Sequence, residues 1–186
     1  MVDVYELLPP FERKGLQLRD FYIYGDSQRL KNKAKELALL PAEQPDQQWQ
    51  EAEYDFNRLF VGPAALQAPP YSSVYLGDEP LIMGATTLHV RELMESLGLT
   101  VSREDNIPDD HISYELELAV LLFINARSTP GFTPLLQRFV SQHLTLWVPM
   151  FIEKITNNAS TTVMKMAALE LSHWIEELKT RVCHEQ

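Results

Sequence analysis

Between Arg58 and Tyr75 the chain reads RLFVGPAALQAPPYSSVY, and Pro63, Pro69 and Pro70 bar this run from continuing any helix. Irregular segments usually cross the surface and are usually polar. This one instead carries Leu59, Phe60, Val61, Leu66, Tyr71, Val74 and Tyr75. Two readings fit so apolar a loop. It fills space between two helices, or Leu59, Phe60, Tyr71 and Tyr75 line a groove for an apolar helix or extended peptide, with tyrosine hydroxyls as polar contacts. The residues by themselves leave both open.

The flanking sequence has helical spacing. Asp26 and Ser27 are N-cap residue types ahead of Leu30, Ala34, Leu37 and Leu40, an apolar stripe opposite Lys31, Lys33 and Lys35 that Pro41 ends. The preceding LQLRDFYIYG fits helix or strand, and helix is the expectation. Trp49, Ala52, Phe56, Leu59 and Phe60 mark a helix closed by Gly62 and Pro63. Thr86 or Thr87 caps another that carries Val90, Leu93, Met94 and Leu97, with Gly98 as its left-handed stop and a polar connector from Thr100 to Pro108.

Asp109 starts DDHISYELELAVLLFINA, which from Leu118 to Ile124 is apolar on every side and so belongs in the middle of a bundle. Thr133 and Pro134 read as an N-cap and first-turn proline. A helix bearing Trp147, Phe151 and Ile155 should kink or restart near Pro149. Thr161 or Thr162 opens the last, burying Met164, Ala167, Leu171, Trp174 and Leu178. The expectation is an all-α fold, one globular domain over residues 1–186 with about seven or eight helices.

A length of 186 residues suits one substantial core. The net charge of −10 repels phosphate backbones, which argues against nucleic acid as a partner, and it favours cationic ones. Cys183 is the only cysteine, so no internal disulfide can form, in keeping with a reducing compartment. The opening MVDVYELLPPFERKG lacks a secretory pattern, and no apolar run reaches the roughly 18–20 residues of a membrane span. A soluble cytoplasmic protein is expected.

One polar cluster stands out, Pro108-Asp109-Asp110-His111 with Glu115 one turn on from His111. The acids suit the positive end of a helix dipole and need no further role. Asp109, Asp110 and His111 are also possible ligands for a divalent ion in a hydrolase-type enzyme, although their spacing matches no specific metal signature. His143 and His173 lie beside apolar residues and read as structural histidines. The sequence has no GxSxG, no phosphate loop and no dinucleotide fingerprint.

Three ordered blocks resemble the TorD/DmsD family of maturation chaperones for molybdenum-containing oxidoreductases. They are EYDFNRLFVGP (53–63) running into PPYSSVY (69–75), PDDH (108–111) at a helix start, and HLTLWVPMF (143–151). The first block is most similar to the DmsD-like branch. The resemblance implies an all-helical, non-enzymatic protein that binds the twin-arginine signal peptide of a reductase precursor. It would hold that precursor in the cytoplasm until its molybdopterin cofactor is inserted, then release it to the export machinery. No metal and no cofactor are expected; guanine-nucleotide or molybdopterin binding is a trait the resemblance also carries, and no residue of the sequence localises such a site. Carried over by position, the peptide-binding residues are Leu59, Phe60, Tyr71, Tyr75, Asp110 and His111, with Pro70 and Ser73 shaping the loop. Asp110 is expected at the groove's rim, near water, where its deletion would cost less than loss of Phe60 or Tyr71. Ala64 and Ile107 depart from the family pattern, and the first fifty residues show little likeness to it.

Overall fold

The most apolar stretch of the sequence becomes the axis of the molecule. The computed structural model describes residues 7–23, 25–40, 44–77, 82–99 and 107–184. Its helices are α1 (Pro10–Ile23), α2 (Ser27–Glu36), α3 (Asp46–Phe56), the single turn α4 (Ser73–Leu76) and α5 (Ala85–Ser96). They continue with α6 (Ile112–Ser128), α7 (Thr133–Phe139), α8 (Thr145–Asn158) and α9 (Thr162–His184). Eight of these nine have seven residues or more, and the described residues contain no strand. The all-α expectation holds. The stop at Pro41 and most of the connector after Thr100 lie outside the described residues.

α6 buries residues on all sides, among them Ile112, Leu116, Leu118, Ala119, Val120, Leu122 and Phe123, and packs chiefly on α1 and α7. α8 and α9 pair beside it, and α2 pairs with α3. The ambiguous LQLRDFYI is helical because Leu18, Phe21 and Tyr22 form a buried stripe on α1. Asp26 caps α2 through a bond from the Arg29 amide, 3.0 Å, and Gly98 is left-handed at φ 72° after α5. α5 itself begins at Ala85 behind Gly84, before either threonine.

Two interruptions were not expected. α3 runs into a π-helical turn, Asn57–Val61, and α7 into another, Val140–Leu144. Such a turn inserts one residue into the α-helical repeat and rotates the chain beyond it. The restart foreseen at Pro149 therefore falls earlier, at residues 140–144, and α8 continues through the proline.

Asp55 holds the outer helices together. Its Oδ2 accepts from the amides of Ser160 (2.9 Å) and Thr161 (2.8 Å) and from the Thr161 hydroxyl (2.8 Å), while Oδ1 meets Arg58 at 2.7 Å. Arg58 also donates to the Asn158 carbonyl, 2.6 Å, so the turn between α8 and α9 is clamped to α3. Burial would raise the Asp55 pKa, but Arg58 and the Thr161 and Ser160 donors outweigh it and hold the carboxyl below its ordinary value.

α1 approaches its neighbours at Gly15, where a Cβ would sit 2.6 Å from both Trp174 Cζ2 and Val120 Cγ2. Alanine favours a helix interior by about 1 kcal/mol over glycine. Overpacking here costs about 1–3 kcal/mol, so Gly15→Ala should lower the urea midpoint with an unchanged slope. An unchanged or higher midpoint would show that α1 can shift outward at no cost.

Candidate functional site

The proline-rich loop cannot pair with itself, and it borrows partners from two places. Its far end returns to the π-helical turn, where Ala68 N donates to Leu59 O at 3.0 Å. Gly62, at φ 105°, makes the reversal that a side chain would resist. Its near end is tied to the turn before α6. Ile112 N donates to Pro70 O (2.8 Å), Ser72 N to Asp110 O (3.1 Å), and Tyr71 and His111 form an isolated antiparallel bridge. Pro70 and Ser73 are both buried within this junction.

Asp110 is fully buried there, not at a rim. Oδ2 accepts the Ser73 amide at 2.9 Å, capping α4, while Oδ1 has no hydrogen-bond partner among the described residues. Neighbouring Asp109 points elsewhere and binds Arg91 of α5, with Nε to Oδ2 at 2.8 Å. Two adjacent acids look alike in sequence, yet only one is paired with a cation among the described residues. The rim expectation fails because the loop needs an acceptor at that spot, and the carboxylate supplies it.

His111 is the true N-cap of α6, its Nδ1 accepting from the Ser113 amide at 3.2 Å. Burial pushes its pKa down to about 3, so the ring is neutral and carries its proton on Nε2. The imidazole meets the edge of the Tyr71 ring, centroids 5.3 Å apart. Burial and the Asp110 charge both raise the Tyr71 pKa.

Leu59 and Phe60 are buried and form the floor of this region. Phe60 packs on Phe56, Tyr22 and Phe151, and Phe151 also meets Tyr75. Tyr71 and Tyr75 are the half-exposed members. Tyr75 donates its hydroxyl to Pro69 O at 2.9 Å and stacks on Trp147, centroids 5.6 Å apart. All eight residues singled out from sequence thus belong to one neighbourhood, with two tyrosines outermost, aliphatic and aromatic groups below, and Asp110 and His111 behind the loop.

Sequence reasoning placed Glu115 in the polar cluster but missed its burial and its partners. Glu115, fully buried, accepts the Trp147 indole N–H at 2.8 Å. His143 Nε2 lies 2.8 Å from its other oxygen, within ion-pair range but off the line a directed hydrogen bond needs. Burial alone would lower the His143 pKa; Glu115, and Asp110 behind it, reverse this and raise it. His143 is thus structural as expected, whereas His173 is exposed, 3.8 Å from Glu170. The signal available for Glu115 was an acid at the start of the most apolar helix, four residues from His111 and so on its face.

Asp109, Asp110 and His111 do not converge, and no group of three potential ligand residues able to hold a metal ion occurs among the described residues. A cleft of about 310 Å³ opens between α5 and α7, lined by Val90, Leu93, Leu135, Phe139 and His143 among others. No described helix is long and apolar enough to cross a membrane.

The two histidines shift in opposite directions. His111 titrates lower folded than unfolded, so its contribution is present above about pH 6.5 and is lost as pH falls toward about 3. His143 titrates higher folded, so its contribution is full below about pH 6.5 and is lost as pH rises through the raised value. Urea unfolding across pH 4–6 should show stability falling by up to about 1.4 kcal/mol per pH unit from His111. His111→Asn, which keeps a capping side chain, should flatten that limb. An unchanged slope would mean His111 is accessible to protons when folded.

Residues 25–153 match the protein family described as nitrate reductase delta subunit. The Tat proofreading chaperone DmsD of Salmonella typhi is 32% identical over 127 residues, covering 66% of this chain and 60% of that protein. The chaperone protein TorD of Vibrio cholerae serotype O1 (strain M66-2) is 34% identical over 140 residues, 71% of this chain and 63% of its own. The matched part therefore spans under two thirds of these curated relatives. A crystal structure of a redox enzyme maturation protein from Archaeoglobus fulgidus superposes with a TM-score of 0.60 at 20% identity, over 95% of this chain and 99% of that one, and shows the fold to be shared.

Proposed function

Because this chain belongs to the nitrate reductase delta subunit family, with the TorD and DmsD chaperones among its relatives, we propose that it is a cytoplasmic chaperone for a molybdoenzyme precursor. It binds the precursor's twin-arginine signal peptide, holds it while the molybdopterin cofactor is inserted, and hands it on to the export machinery. No catalysis and no cofactor of its own are involved. Leu59, Phe60, Tyr71, Tyr75, Asp110 and His111 form the peptide-binding site, and Pro70 and Ser73 shape its loop.

One observation carries this reading. Behind the half-exposed Tyr71 lies a buried carboxylate with an oxygen that no arginine or lysine among the described residues meets. A buried carboxylate left so is costly, and a guanidinium is the group that satisfies one with the best geometry. Tyr71 and Tyr75 offer rings to the apolar stretch that follows an arginine pair, and tyrosine suits a contact that is apolar along its body and polar at its tip. The net charge of −10 draws a cationic leader in. Asp110 is reached when the Tyr71 side chain swings aside, while Tyr75 stays in place on Trp147.

Titration calorimetry with a synthetic leader containing the arginine pair should give micromolar or tighter binding. Tyr71→Ala or Tyr75→Ala should weaken it about tenfold. Changing both guest arginines to lysine should weaken it comparably, since lysine cannot make the paired contact. No binding at about 100 μM peptide, or equal affinity for the dilysine form, would overturn the assignment.

A further inference from the structure

Glu115 is fully buried like Asp110, but both of its oxygens already face protein groups, the Trp147 indole and the His143 ring, so it has none to offer a peptide. A neutral acceptor would hold the Trp147 indole at lower desolvation cost than a carboxylate does. What a carboxylate adds is a second oxygen of equal strength. Glu115 uses one on Trp147 of α8, 2.8 Å, and turns the other to His143 of the π-helical turn before it, 2.8 Å. One side chain of the central helix therefore fixes both the rotation of α8 and the plane of its indole.

That plane matters because Tyr75 lies on it. The rings are 5.6 Å apart and inclined by 30°, and the hydroxyl of Tyr75 is tethered separately to Pro69 O, 2.9 Å. Held at the hydroxyl alone, the ring could swing; held by the indole as well, it presents one face. We infer that Glu115 is a positioning residue for peptide recognition, setting through Trp147 the orientation of the Tyr75 ring. This rests on the peptide-binding reading above and assigns Glu115 no contact with the guest.

The test compares Glu115→Gln, Glu115→Leu and Trp147→Phe with the unaltered chain, each at a temperature where circular dichroism shows it folded. Two quantities are read: leader affinity by calorimetry, and the fluorine resonance of Tyr75 in protein labelled with 3-fluorotyrosine, assigned through Tyr75→Phe. Glutamine keeps an acceptor for the indole, so affinity should stay within about threefold and the resonance should scarcely move. Leucine at 115 and phenylalanine at 147 should each weaken binding about tenfold and shift the resonance. Glu115→Leu binding as tightly as the unaltered chain, with the resonance unmoved, overturns the inference. So does Glu115→Gln as weak as Glu115→Leu, since the charge would then be acting on the guest itself. If Glu115→Leu does not fold, Trp147→Phe, which removes the donor and keeps a ring, decides in its place. If the unaltered chain binds no leader, the chaperone reading fails separately, and the resonance alone judges whether Glu115 sets Tyr75.

Discussion

A backbone run containing Pro63, Pro69 and Pro70 lacks three donors and cannot close a hydrogen-bonded structure on itself. Its shape has to come from outside, and most of it comes from the turn that opens α6. Pro70 O, the Ser72 amide and the Ser73 amide all find partners between Asp110 and Ile112. Without that junction the loop has no register, α4 has no cap and Tyr75 has no fixed base. Asp110 is thus first an acceptor for the fold. Its second oxygen has no hydrogen-bond partner among the described residues, and it is the one the proposed guest arginine would meet.

The same junction explains why so dry a region tolerates ionisable groups. Asp110 and His111 lie in it, Glu115 and His143 are buried beyond it, and the four are not interchangeable. His111 stays neutral because it is buried and already spends one nitrogen on the Ser113 amide. His143 moves the other way because Glu115 and Asp110 are close enough to favour its charged form over the pull of burial. The two imidazoles therefore divide the roles: His111 caps α6 and packs on Tyr71, and His143 faces the Glu115 carboxylate.

Much of the fold could be read from residue spacing. The buried face of α9 is the stripe at Met164, Ala167, Leu171, Trp174 and Leu178, and the all-round apolar segment after Leu118 is the central helix. The π-helical turns could not be read. One added residue leaves Phe56, Leu59 and Phe60 all apolar and near each other, so the spacing looks α-helical while the faces rotate. The blocks that carry Tyr71 and His111 do meet as a pair. Depth was not legible. Nothing in two consecutive aspartates tells which one a distant loop will cover, and the Glu115 partners lie 28 and 32 residues away with no local pattern to announce them.

The arrangement of rings bears on how tightly such a surface can hold anything. Leu59 and Phe60 are already buried against Phe151 and Phe56, so a guest gains little from them directly. Of the proposed site residues, Tyr71 and Tyr75 are the ones with outer faces left to offer a guest, and area of that size supports moderate affinity at best. Rigidity compensates in part. A tyrosine stacked on a buried indole and tethered at its hydroxyl has little rotamer freedom left to lose when a guest arrives. In the proposed recognition, the core beneath the loop would act on binding without touching the guest, by removing an ordering cost. A chaperone that must let its client go is better served by a small stiff platform than by a deep soft groove, because moderate affinity keeps the dissociation rate high.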